Sequence, residues 1–135
     1  MKKILLMLLL LLLSNGVYNS TINVIYIAKL APIEPFKQLS LAIGMVESSC
    51  NTLAYNPIEN AVGYYQIRPI RLKDYNNRTG NHYKMKDLYD YNVSKKIFLY
   101  YCDLIGPDIE TISKRWNGTG PLTISYWNKV RKYLL

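Results

Sequence analysis

Pro35-Phe-Lys-Gln-Leu-Ser-Leu-Ala-Ile-Gly-Met-Val-Glu-Ser-Ser-Cys50 is the stretch from which the fold is read. Leu39, Ile43, Val46 and Cys50 recur at i, i+4, i+7 and i+11, which places them on one face of a helix. Glu47 sits beside that stripe, one step from the core face and close to the helix C-terminus. A carboxyl at the edge of an apolar face is partly desolvated, which disfavours its anion, and the helix macrodipole acts in the same direction. A carboxylic acid that keeps its proton near neutral pH is what a general acid requires. Taken alone the feature is weak, because most glutamates so placed reach out to solvent.

Downstream, Asn51 to Ala61 is rich in Asn and Pro and reads as a loop. Gly63 to Ile67 (GYYQI) is short and aromatic, a strand or a turn lining a cleft. Arg68 precedes a proline and is biased to extended geometry, and Pro69 opens a helix to about Tyr75. Asn76 to Tyr83 reads as a polar loop that holds the only histidine, His82. A longer helix is expected from about Lys86 to Ile105, with Asp87 and Asp90 in its first turn and Val93, Ile97, Tyr100 and Leu104 on its buried stripe. Gly106-Pro107 ends it. Ile109, Ile112 and Trp116 mark a further helix stopped by Gly118. The last runs from about Leu122 to Leu134, with Leu122, Tyr126, Val130 and Tyr133 on one side. The expected fold is mainly α, a compact helical domain over residues 35–135 with a small β element.

Upstream, Lys2 and Lys3 precede an unbroken apolar run, Ile4 to Leu13, followed by Ser14-Asn15-Gly16. Ten residues are too few for a bilayer span, which takes about 20. A charged start, a short apolar core and small residues after it are the parts of a secretory signal, assigned to residues 1–16. Residues 17–34 form a mixed lead-in, and the chain is expected to be exported to the periplasm, cell envelope or extracellular space. In an oxidising compartment Cys50 and Cys102 could be joined, and two buried thiols are the equal alternative.

The 135 residues suit one domain. Half are hydrophobic and 19% charged, which argues against disorder. One histidine and two cysteines are too few for a Cys/His zinc cage, and no phosphate-loop or dinucleotide motif appears, so neither metal nor cofactor is implied. A net charge of +8 favours anionic cell-wall or membrane surfaces. The basic residues are scattered, with no arm or basic helix face, which argues against nucleic acid. Asn56, Glu59, Tyr64, Tyr65, Gln66, Trp116 and Asn117 combine aromatic, amide and carboxyl groups, as carbohydrate sites do.

Three elements in order now carry a resemblance: Glu47-Ser48-Ser49 closing a helix, Gly63-Tyr64-Tyr65-Gln66-Ile67 sixteen residues after Glu47, and Arg115-Trp116-Asn117-Gly118 much later. The chain resembles the soluble lytic transglycosylase domain of the lysozyme-like superfamily, whose order is E-S, G-L-M-Q and A-Y-N. AVGYYQIRP and the terminal YWNKV extend the likeness to a bacterial and phage branch, over Phe36 to Leu135. The resemblance implies an α+β lysozyme-like fold and peptidoglycan glycan strands as partner. It implies Glu47 as the single acid/base, Ser48 as a residue holding substrate or water, Gly63 as a glycine at the cleft and Gln66 beside the glycan. Trp116 stands where the family has a tyrosine that contacts the catalytic carboxyl, and Tyr64 and Tyr65 replace Leu and Met in the cleft wall. A hydrolase would instead need a second carboxylate, Glu59 or Asp74. A glycan-binding or structural module without catalysis is the third reading.

Overall fold

The computed structural model describes Glu34 and residues 36–134. The signal segment and all of the lead-in but Glu34 lie outside the described residues. The order is helix α1 (Lys37–Ser48), strands β1 (Tyr55–Asn56) and β2 (Ala61–Val62), helix α2 (Pro69–Thr79), a 3₁₀ turn (Met85–Tyr89), α3 (Tyr91–Ile105), α4 (Ile109–Asn117), α5 (Leu122–Val130) and a second 3₁₀ turn (Arg131–Tyr133). The fold is mainly helical, with one two-stranded antiparallel sheet pairing Tyr55 with Val62 and Asn56 with Ala61. Among the described residues no helix is long and apolar enough to cross a membrane.

Helix ends follow local chemistry. Pro69 starts α2 after extended Arg68, and Gly80 closes it in the left-handed region at φ 70°. Asp90 caps α3 by accepting from the Asn92 amide, and Asp108 caps α4 by accepting from Thr111. The expected helix from Lys86 to Ile105 is therefore two elements. Asp90 turns its carboxylate back on the backbone and separates the 3₁₀ turn, which holds Asp87, from α3. In the opposite sense, α2 runs four residues past Tyr75 into the expected polar loop. An Asp74–Arg78 pair braces its exposed side at 2.9 Å, and Asn76 exchanges hydrogen bonds with the Tyr83 backbone.

The core is aromatic. Tyr65 stacks on Phe98 with ring centroids 4.6 Å apart, and the Trp116 ring meets Phe98 edge-on at 5.1 Å. Leu39, Ile43, Ile67, Leu88, Ile97, Ile112 and Val130 surround them. The buried stripe of α3 is Ser94, Ile97, Phe98 and Cys102. It is rotated from the expected one, so that Leu104 is exposed. Leu122 and Tyr133 are exposed as well, while Tyr126 and Val130 are buried.

Residues 63–66 form a tight turn closed by a reciprocal pair of backbone bonds between Val62 and Ile67 at 3.1 and 3.0 Å. Two glycines set its position. A Cβ on Gly44 of α1 would lie 1.9 Å from the Tyr64 ring, and one on Gly63 (φ 80°) would lie 2.2 Å from the Leu88 carbonyl oxygen. Buried Ser94 donates to that same carbonyl at 2.6 Å, so it cannot retreat without breaking a bond. Gly63 thus faces backbone of the 3₁₀ turn rather than a cleft. Gly44→Ala is expected to cost at least 1–3 kcal/mol by overpacking. Gly80→Ala, which meets no neighbouring atom but keeps a positive φ, is expected to cost about 1 kcal/mol. Urea denaturation of the two variants checks the difference.

Candidate functional site

Glu47 lies in the last turn of α1, two residues before a pair of left-handed residues, Ser49 and Cys50, that swing the chain away. Ser48 donates to the Tyr64 carbonyl at 2.8 Å and so ties the helix end to the turn at 63–66. Its hydroxyl hydrogen is committed to the scaffold rather than to a substrate or water. Cys50 Sγ is 3.1 Å from the Tyr64 hydroxyl and adds a second tie.

The Glu47 side chain faces a recess of about 40 Å³ shared with Glu59, Gln66, Arg68, Arg71, Trp116 and Asn117. Five of these were anticipated from sequence, and the fold brings all five to one place. Glu59 arrives on the four-residue connection between β1 and β2, whose shape is fixed by Asn56 accepting from the Ile58 amide and by Tyr55 donating to Asn60. Gln66 adopts φ 48° and spends its amide nitrogen on the Ala54 and Gly63 carbonyls. Asn117 contributes its carbonyl, which accepts from Arg68 Nη2 at 2.9 Å.

The other anticipated residues lie elsewhere. Tyr65 is fully buried and Tyr64 nearly so, because both rings are claimed by the aromatic core and by Ser40 and Cys50. They do not form a cleft wall. Asp74 is occupied by Arg78 and by the Tyr101 hydroxyl, away from the recess, and is removed as a second carboxylate. Cys50 and Cys102 are both free thiols, with Cys102 inside the core, where burial pushes its pKa up to about 12. The bridge between them is not formed. His82 lines a different and larger cavity of about 600 Å³, between α2 and the loop that follows it. Among the described residues no cluster of three or more His, Cys, Asp or Glu side chains could hold a metal.

Three residues of the site were missed. Tyr126 of α5 donates its phenol to Glu47 Oε1 at 2.6 Å. Sequence spacing made Tyr126 a core residue, and the resemblance put Trp116 at the carboxyl. The Trp116 ring is instead packed into the core, and the Arg71 guanidinium covers it 4.0 Å from the centroid. Arg68 and Arg71, three residues apart across the start of α2, present two guanidinium groups to the same recess. Arg68 also pairs with Glu59 at 3.7 Å, and Arg71 donates to the Arg115 carbonyl at 3.3 Å. The Arg68-Pro69-Ile70-Arg71 run, with two arginines on one side of a helix start, is the signal that could have found them.

Burial raises the Glu47 carboxyl from its ordinary 4.5 to about 7. The Tyr126 bond, Arg71 and Arg68 pull it down, and Glu59 pushes it up, so desolvation is the winning effect. At neutral pH the site therefore holds both the acid and its conjugate base in quantity. Chemically, the recess can give a proton to a bound oxygen and take one back.

The same shift fixes a stability profile. A carboxyl whose pKa is raised by folding leaves the protein at full stability below about pH 4.5, and that stability is lost as pH rises through 7. The loss is on the order of 3 kcal/mol. Glu47→Gln removes the ionisation, so this variant is expected to be more stable than wild type at pH 8 and close to it at pH 5, as checked by denaturant titration at both pH values. Neither a family model, nor a curated protein, nor a solved structure matches the chain.

Proposed function

We propose that the protein cleaves the β-1,4 bond between N-acetylmuramic acid and N-acetylglucosamine in peptidoglycan, as a lytic transglycosylase with Glu47 as its single general acid/base. The observation that carries this reading is the half-buried Glu47 carboxyl opening on a polar recess, bonded by Tyr126 and proton-bearing near pH 7. The order of Glu47-Ser48, Gly63 to Gln66 and Trp116-Asn117 along the chain supports the glycan as substrate. A lysozyme-like arrangement of the helices and the β1–β2 element belongs to the same proposal.

In the reaction, protonated Glu47 gives its proton to the bridging oxygen as the C1–O4 bond breaks. The muramoyl ring passes through an oxocarbenium-like state, assisted by its own N-acetyl group. Ionised Glu47 then takes the proton from the C6 hydroxyl, whose oxygen closes on C1 to give a 1,6-anhydro ring. No water is consumed and the carboxyl returns to its starting form. The Tyr126 phenol, which burial and the neighbouring carboxyl keep far above neutral pH in pKa, donates to the ionised carboxyl and steadies it between the two transfers. Acid/base assistance of this kind is worth roughly 10²–10⁴ in rate. The recess is too small for a pyranose, so the sugar rings lie across its mouth and only substituent atoms enter.

Glu59 in the same recess favours one second reading, a hydrolase in which Glu59 activates water. Its ion pair with Arg68 makes it an anion with a structural partner, which weakens that role. Export behind a signal peptide and attraction of a +8 chain to anionic envelope surfaces complete the proposal.

Digestion of purified peptidoglycan followed by mass spectrometry of the muropeptides tests it. Products ending in 1,6-anhydro rings, lighter by one water than reducing ends, are expected from wild type and none from Glu47→Gln. Reducing ends alone would select the hydrolase. Wild-type lysis by Glu47→Gln would remove Glu47 from the reaction. Binding by wild type without cleavage would select the module.

A further inference from the structure

The two guanidinium groups beside Glu47 are not explained by acid/base chemistry. They lower the pKa of the very carboxyl that has to stay protonated, and an uncharged glycosidic bond offers them nothing. Their placement is nonetheless built. Arg71 is partly buried, stacked on Trp116 and anchored to the Arg115 carbonyl, and it forms no ion pair among the described residues. Arg68 is anchored to the Asn117 carbonyl, with Glu59 at the long end of ion-pair distance. Each guanidinium carries five N–H donors and uses few of them here. With Glu47 protonated, the recess holds two cations against the single carboxylate of Glu59 and lacks one negative charge.

Charge narrows the missing group, and about 40 Å³, where one water needs about 10–15 Å³ on the same measure, admits a group of a few heavy atoms. A carboxylate fits that space and matches the planar fork of a guanidinium. An amide brings no negative charge to the two guanidinium groups. On a muramoyl sugar the substituent with this choice is the lactyl ether at C3. Its carboxyl is capped as an amide where a peptide stem is attached, and it is a free carboxylate where the stem has been removed.

Resting on the glycan-cleaving function proposed above, we infer that Arg68 and Arg71 receive the free lactyl carboxylate, so that the substrate is a strand, or a stretch of strand, stripped of its peptide stems. The arginines are specificity residues under this assignment, and Glu47 remains the group that handles protons. The enzyme then acts after an amidase-type hydrolysis has exposed the carboxylate.

Two measurements test this. In the first, intact peptidoglycan and the same material freed of stems by an amidase are digested in parallel, and cleaved ends are counted by mass spectrometry. Wild type is expected to release ends about tenfold faster from stem-free strands, and equal rates would overturn the inference. The second needs no catalysis. N-acetylmuramic acid and its lactyl methylamide are titrated into the protein and followed by NMR. The acid is expected to bind about tenfold tighter than the amide, and that ratio should fall towards one in Arg71→Gln and in Arg68→Gln. Both variants are checked for fold by circular dichroism, since each arginine also braces a backbone carbonyl. Equal binding of acid and amide by wild type overturns the inference, as does a ratio that survives in both folded variants. Discrimination in binding with no cleavage of any strand would refute the proposed reaction and leave the carboxylate site standing.

Discussion

The desolvation of one carboxyl is the constraint on which the rest depends. Glu47 is half-buried where α1 ends, and burial outweighs a 2.6 Å hydrogen bond and two nearby guanidinium groups, all of which favour the anion. The balance is close enough that the group sits near neutrality rather than far above it. Without the Tyr126 phenol the ionised form would lose the hydrogen bond that steadies it, and the carboxyl would give up its proton less readily. Without the burial it would be permanently ionised. A buried carboxyl of this kind opposes folding above neutral pH, and the surrounding aromatic core supplies the stability that tolerates it.

The scaffold that holds this carboxyl is made of small residues at close contacts. Gly44 lets the Tyr64 ring lie against α1, and Ser48 and Cys50 both bond to Tyr64, so the end of the helix and the turn at 63–66 move as one piece. Gly63 and Ser94 lock that turn onto the Leu88 carbonyl. The turn leads directly into Arg68 and Pro69, which explains why the guanidinium groups arrive at the same recess as the acid. Trp116 completes it by presenting one face to the core and the other to Arg71.

Much of this could be read from the residues. The period of the first helix put Glu47 beside the core face, Pro69 located the start of α2, and Ile109, Ile112 and Trp116 marked α4. Of the residues singled out for the site, Glu47, Glu59, Gln66, Trp116 and Asn117 share one recess. The failures have physical causes. Asp90 read as part of a continuous helix because a cap and a first-turn acid have the same composition. Tyr64 and Tyr65 suggested a sugar-stacking wall, yet tyrosine is as useful in a core whose hydroxyls find partners, as Ser40 and Cys50 show here. Tyr126 was hidden by its periodicity: a stripe position reveals that a side chain points inward, not that its last atom reaches a carboxyl on another helix. Arg68 was read for its effect on backbone geometry and not for its charge, and Arg71 was not singled out.

The central claim concerns the protonation of one side chain, and carbon-13 NMR of the Glu47 carboxyl across a pH titration measures it most directly. The account predicts a midpoint near 7. A midpoint near the ordinary 4.5 would mean that the carboxyl is solvated and ionised at neutral pH, and the acid/base role assigned to it would fail.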